Sequence, residues 1–210
     1  MIKILIADDH PVVRQGIRQI VGQTGDLSIV DEATNSQEVL ERVGRVPIDI
    51  VLLDLSMPGM DGLDLLKQLK REHPRMPVLI VTMHSEHEFA IRALKAGASG
   101  YLTKDSAPVE LVGAVRRIVG GGHYLSPWIA ERLAVHLGPD NEKPPHDSLS
   151  DREYQILRMI AAGRSTREIS EQLSLSMKTV STYRARVFEK MKMKNAAELT
   201  AYVVRNRLAD

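Results

Sequence analysis

Five polar side chains stand at the ends of short apolar runs, and their types suggest a shared chemistry. Asp8 and Asp9 follow Ile2–Ala7, and Asp54 follows Asp49–Leu53. Thr82 closes Val78–Thr82, and Lys104 comes just after Gly100–Leu102. Three carboxylates gathered together cannot all stay ionised without a cation, and hard oxygen ligands of this kind suit Mg2+, which keeps waters and reaches phosphates. A hydroxyl and an ammonium beside them would neutralise charge on a transferring phosphoryl group. Asp54 is then the natural acceptor, because a carboxylate can form an acyl phosphate. Any one of these residues alone reads as a turn or helix-cap residue. All five together read as a phosphoryl-transfer site.

A second group is basic. From Lys178 to Lys194 the chain carries Lys178, Arg184, Arg186, Lys190, Lys192 and Lys194 against one acid, Glu189. That density is the footprint of a protein that binds a phosphate backbone, and also that of a solvated helix in an interaction module. On a helical wheel Val180, Val187 and Met191 point inward, while Ser181, Thr182, Ala185 and Arg186 point outward. Thr182 and Ala185 could touch a thymine methyl, and Arg186 could read guanine or bind phosphate. Arg184 falls near the inward edge and must snorkel to reach a phosphate.

The elements that position these groups follow from periodicity. Ile2–Ala7, Leu27–Glu32, Asp49–Leu53, Val78–Thr82 and Gly100–Leu102 are nearly continuous Ile/Val/Leu runs, as in strands buried on both faces. Between them lie helical stripes: Val13, Ile17, Ile20 and Val21; Leu63, Leu65, Leu66 and Leu69; Leu111, Val112, Val115, Ile118 and Val119. Alternation of this kind predicts a doubly wound parallel five-stranded α/β sheet over residues 1–120. In such sheets ligands bind at the carboxyl ends of strands, where the acids fall.

Residues 121–148 read as a linker with a short helix at 127–137, because Gly138 to His146 is polar and proline-rich. Residues 149–210 read as a small all-α domain of four helices. Ser150 with Glu153 makes a capping-box start, and Gly163 ends that helix. The next begins near Thr166, a third runs from about Met177 to Met191, and a fourth starts at Asn195.

Charge divides along the same line. Residues 149–210 hold 12 Lys/Arg against 7 Asp/Glu, a net of +5, and residues 1–148 hold 16 against 20, a net of −4. Two modules with different partners are expected. Cysteine is absent, which excludes a disulfide framework, a thiolate zinc site and a cysteine nucleophile. No apolar run approaches a membrane span, and the start reads straight into a strand, so a cytoplasmic protein without a membrane partner is expected.

Asp8-Asp9-His10, Asp54-Leu-Ser-Met-Pro-Gly-Met-Asp-Gly62, Thr82 and Gly100-Tyr-Leu-Thr-Lys104 resemble the receiver domain of a bacterial response regulator, a flavodoxin-like fold. The resemblance implies that Asp54 accepts phosphate from a sensor histidine kinase. It implies that Asp8, Asp9, Asp54 and the backbone carbonyl of Ser56 hold Mg2+, and that Lys104 and Thr82 contact the phosphoryl group. Thr82 and Tyr101 would form the switch; Tyr101 reads equally as an aromatic that simply packs. Asp105 stands where many receivers carry proline in a cis peptide, a geometry costly without it.

Leu149-Ser-Asp-Arg-Glu153, Gly163, Glu168-Ile169, Leu173, Ser176 and Thr179-Val180 resemble the LuxR-type helix-turn-helix, so the whole chain resembles a NarL/FixJ-family response regulator. Double-stranded DNA is then the second partner. Lys178, Thr179, Ser181, Thr182, Arg184, Ala185, Arg186 and Lys190 are the candidate contacts, and a homodimer is expected on phosphorylation. Ser170 replaces a usual alanine, and Ser181 a frequent lysine. Two other readings use the same residues: a Mg2+-dependent phosphatase, and a regulator whose first domain dimerises without phosphorylation. His84, two residues past Thr82, reads either as a surface histidine or as a group that influences hydrolysis of the aspartyl phosphate.

Overall fold

The computed structural model describes residues 1–84, 86–131, 144–173, 175–206 and 208, with backbone alone at 86–88. The chain divides into two compact units, Met1–Leu133 and Ala134–Asp210.

In the first unit five strands, β1 (Ile2–Ala7), β2 (Leu27–Ala33), β3 (Ile50–Leu53), β4 (Val78–Thr82) and β5 (Gly100–Thr103), pair in parallel in the order β2-β1-β3-β4-β5. Five helices, α1 (Pro11–Gly22), α2 (Ser36–Val43), α3 (Gly62–Glu72), α4 (Glu86–Lys95) and α5 (Ala107–Val119), alternate with them. The central strands β3 and β4 are buried throughout because helices cover both faces of the sheet, whereas edge strand β2 is half-buried over most of its length. Ile4, Ile6, Ile50, Leu52, Leu79, Val81 and Leu102 pack under Ile17 and Val21 of α1 and Leu111, Val115 and Ile118 of α5. Each fully buried side chain of this size contributes about 1.5–3 kcal/mol, before the cost of ordering it.

Strand order reverses between β1 and β3, so the loops after these strands part there and leave a crevice. Asp8 and Asp9 leave β1 on one side of it, and Asp54 leaves β3 on the other. The loop after β3 is held close: a Cβ on Gly62 would meet the Leu55 backbone at 2.5 Å, so α3 can start there only with glycine. Asp61 caps α3 by accepting from Leu63 N at 3.0 Å.

The stretch read as linker begins inside this unit. Tyr124 N donates to Ser99 O at 3.0 Å, and Tyr101 N to Tyr124 O at 3.3 Å, which places Tyr124 beside β5. Residues 127–131 are helical and Ile129 is fully buried. The remainder of the expected 127–137 helix lies outside the described residues.

The second unit opens on a 3-10 turn, Pro145–Ser148, followed by α6 (Asp151–Ala161), α7 (Thr166–Gln172), α8 (Met177–Met191) and α9 (Ala196–Arg205). Ser150 and Glu153 form a reciprocal capping box on α6, and α7 carries a second one, Ser165 with Glu168, that the sequence reading did not single out. Gly163 follows α6 with φ +77°, a conformation that favours glycine. Tyr154, Ile156, Leu157, Ile169, Val180, Val187, Leu199 and Val203 form the core. Ser170 is buried where alanine is usual, and its hydroxyl donates to Arg167 O at 2.8 Å, which satisfies it locally. The end of the expected linker is anchored here: His146 Nδ1 lies 2.7 Å from the Tyr202 hydroxyl, and its ring packs against Tyr154 and Tyr202. No described helix is long and apolar enough to cross a membrane.

Candidate functional site

At the carboxyl ends of β1, β3 and β5, Lys104 joins two acids that are 46 residues apart. Its ammonium lies 2.7 Å from Asp54 Oδ2 and 2.8 Å from Asp8 Oδ2, with 6% of the lysine side chain exposed. Asp8 and Asp54 are each 2% exposed. Burial disfavours the lysine's charge, but hydrogen bonds to Asp54 and Asp8 outweigh it and hold the Lys104 pKa above the ordinary value. Thr82 is fully buried, and its carbonyl accepts from Lys104 N at 2.9 Å, so the backbone joins the ends of β4 and β5 that carry the two residues.

The backbone around the acids is fixed by its own hydrogen bonds. Asp54 N donates to Ala7 O at 2.8 Å, Ser56 N to Asp54 Oδ1 at 3.2 Å, and His10 N to Asp8 Oδ1 at 2.8 Å. Arg14, from α1, donates to the Asp8 carbonyl at 2.8 Å and to Glu32 at 2.9 Å, which ties the ends of β1 and β2 together. The role of Arg14 escaped the sequence reading; its only trace was a cation one turn into the helix after the acids.

Asp8, Asp9, His10 and Asp54 offer ligand atoms that lie within 4.8 Å of one another. Asp9 Oδ1 is buried and accepts no well-aligned hydrogen bond, although His10 Nδ1 is 2.8 Å away. Lys104 answers Asp8 and Asp54 but not Asp9, so three carboxylates stand around one lysine and the Asp9 oxygen is left without an aligned donor. That donor set fits a hard divalent cation such as Mg2+. His10 is a donor beyond the expected ligand set, and an imidazole next to two acids is its signal in the sequence.

Tyr101 is fully buried in β5, and its hydroxyl donates to the His84 carbonyl at 3.0 Å. His84 Nε2 lies 3.1 Å from Ser56 Oγ, and the His84 ring is 4.4 Å from that of Phe89. His84 thus bridges the loops after β3 and β4. Among the described peptide bonds none is cis, Lys104–Asp105 included.

In the second unit α7, the turn after it and α8 make a helix-turn-helix. Ser176 caps α8 by accepting from Thr179 N at 3.1 Å. Lys178, Ser181, Thr182, Ala185 and Arg186 are exposed on α8, Thr179 and Arg184 half-buried, and Val180, Val187 and Met191 buried, the division that the wheel predicts. The Ser181 and Thr182 hydroxyls donate to the carbonyls of Met177 and Lys178, at 2.8 and 3.0 Å. The Arg184 guanidinium sits 5.8 Å over the Phe188 ring.

Lys190 differs from its basic neighbours. Its ammonium is 2.6 Å from Glu153 Oε2, and Glu153 is 3% exposed. Burial opposes the Glu153 charge, but hydrogen bonds from Lys190 and Ser150 prevail and lower its pKa. Lys190, a candidate DNA contact, thus has a carboxylate partner 37 residues away, which leaves no local signal in the sequence.

A sheet whose switch point gathers acids around a lysine, followed by a helix-turn-helix unit with a basic second helix, defines a signal-receiving module coupled to a DNA-binding one. Residues 4–116 match the response regulator receiver domain, and residues 147–203 match the luxR family of bacterial regulatory proteins. Over 211 residues the chain is 40% identical to Response regulator GacA of Pseudomonas syringae pv. syringae, covering 100% of this chain and 99% of that protein. It is 38% identical to Response regulator UvrY of Escherichia coli, covering 100% of this chain and 97% of that one. RcsB from Salmonella enterica serovar Typhimurium, solved bound to promoter rprA in the presence of phosphomimetic BeF3-, aligns with TM-score 0.69 at 27% identity, over 97% of this chain and 99% of that chain. The chain belongs to the NarL/FixJ family of response regulators, with a receiver domain and a LuxR-type DNA-binding domain.

Proposed function

We propose that this regulator takes a phosphoryl group onto Asp54 from the phosphohistidine of a sensor kinase and, so modified, dimerises and binds promoter DNA. The supporting observation is the Lys104 ammonium held between Asp54 and Asp8. In the transfer an Asp54 oxygen attacks phosphorus, the P–N bond breaks, and the kinase imidazole leaves. Lys104 moves from carboxylate to phosphoryl oxygen, and Thr82 donates its hydroxyl to another; both groups meet charge that grows during transfer. Mg2+, held by Asp8, Asp9, Asp54 and the Ser56 carbonyl, would supply further charge neutralisation at the same oxygens.

Phosphorylation removes Lys104 from its present partners, and the loops after β4 and β5 respond. The Tyr101–His84 bond and the Ser56–His84 contact link those loops to the acceptor loop, so Thr82 and Tyr101 form the switch. In the DNA-binding unit Lys178, Thr179, Ser181, Thr182, Arg184, Ala185 and Arg186 face the duplex, with base reading near the start of α8. The RcsB complex with promoter rprA supports this reading. Two copies would set two recognition helices in successive major grooves. We assign the receiver to residues 1–120, the connection to 121–148 and the DNA-binding domain to 149–210, in a cytoplasmic protein that regulates rather than catalyses.

The test is Asp54→Asn treated with acetyl phosphate and Mg2+. Loss of labelling is expected, and labelling at the wild-type rate overturns the acceptor assignment.

A further inference from the structure

We infer that Lys190 is a positioning residue: it sets the rotation of the recognition helix by pairing with buried Glu153 and does not contact DNA phosphate. The inference rests on the DNA-binding reading and refines it. Lys190 lies one residue before the end of α8, about 18 Å along the axis from Lys178. Base edges are met near the start of such a helix. Its ammonium is 2.6 Å from Glu153 Oε2 and 3.4 Å from the Ser148 carbonyl. Glu153 is itself buried and held, because the same Oε2 accepts from Ser150 N at 2.8 Å in the cap of α6.

The remaining ties of α8 to the unit include Val180, Val187 and Met191, all buried and apolar. Apolar contact is non-directional and permits a helix to roll. A charge-assisted hydrogen bond to a fixed carboxylate has direction, and so sets which residues of α8 face outward. Lys178 and Arg186 are exposed on the stretch of α8 from its start to its middle. Both are open to phosphate.

The experiment uses the full chain and a duplex that the wild type selects from a random-sequence pool, with a random duplex as the reference. Lys190→Met is expected to lower the affinity ratio between the two duplexes about tenfold. It should leave the slope of log K against log salt unchanged, because no phosphate contact is lost. Lys190→Arg should restore the ratio. Glu153→Gln should give the same loss, and the double variant should be no worse than either single one. Arg186→Met calibrates the assay, with a slope reduced by about one.

A slope reduced by about one in Lys190→Met, losses that add in the double variant, or an unchanged ratio overturns the inference. Circular dichroism reports folding. If Lys190→Met does not fold, the double variant, which leaves no buried charge unpaired, carries the slope measurement, and the same drop overturns the inference. Failure of the wild type to select any duplex would overturn the DNA-binding reading and this inference together. Additive losses on a chain that binds DNA overturn this inference alone.

Discussion

The two domains each place a lysine on a buried carboxylate, and the two pairs do opposite work. In the receiver, Lys104 serves Asp8 and Asp54 at once, while Asp9 Oδ1 stays without an aligned donor. The DNA-binding domain has one acid, Glu153, answered by Lys190 and by Ser150 N. The first arrangement keeps surplus negative charge and a cation that can change partners, as a site that must accept a cation and a phosphoryl group requires. The second has its carboxylate satisfied and holds two helices in one geometry. A buried ion pair by itself therefore says little about function; the balance of charges around it decides.

Lys104→Met gives the largest expected break in this contrast. Labelling by acetyl phosphate should fall about 100-fold or more, the scale for removing one donor to developing charge. The variant's thermal midpoint should also become strongly Mg2+-dependent, because Asp8 and Asp54 then lack an internal cation. Labelling at the wild-type rate would reduce Lys104 to a counter-ion of the same kind as Lys190.

Lys190→Met should destabilise the DNA-binding domain by about 1–3 kcal/mol. That is below the usual figure for breaking a buried pair, since Lys190 is 40% exposed. Mg2+ should not restore it. Denaturant unfolding followed at α-helical wavelengths, with and without Mg2+, checks both points, and recovery by Mg2+ would erase the distinction between the pairs.

The contrast also explains what could be read from sequence. The acids of the receiver each end an apolar run, so strand periodicity alone carries Asp8, Asp54 and Lys104 to one rim. The limits of α8 and the inward face of Val180, Val187 and Met191 likewise follow from local pattern and capping chemistry. What escaped depends on distant partners. Lys190 looks like its exposed neighbours until α6 is folded against α8. Tyr124 falls within the 121–148 stretch read as linker, yet its backbone pairs beside β5. His146 belongs to a proline-rich stretch with no apolar anchor in its own sequence, and is held by Tyr202 of the last helix.

Acid should separate the domains further. The Glu153 pKa is lowered in the fold, so its contribution to stability is complete above its ordinary value of 4.5. It is lost as pH falls from there through the folded-state value. Glu153→Gln should flatten that part of the stability–pH curve; a curve parallel to the wild type's would show that the pair carries no linkage. Ser150→Ala, which removes the cap but leaves the Lys190 pair, should cost about 1 kcal/mol. A larger loss in the DNA salt series than in stability would mean that the cap, too, orients α8.

The smallest effect belongs to a third ion pair that shows what geometry without burial is worth. Arg116 donates twice to Asp26, at 2.8 Å each, in a bidentate arrangement. Its guanidinium bonds hold the Asp26 pKa below the ordinary value. Both side chains are about half exposed, at 52% and 49%, so water and salt screen the attraction, and ordering two mobile side chains offsets much of what remains. Asp26→Asn should therefore leave the receiver's unfolding midpoint within error of the wild type, and any difference should vanish in high salt. A shift as large as that of Lys190→Met would show that hydrogen-bond geometry, rather than burial and charge balance, ranks the three pairs.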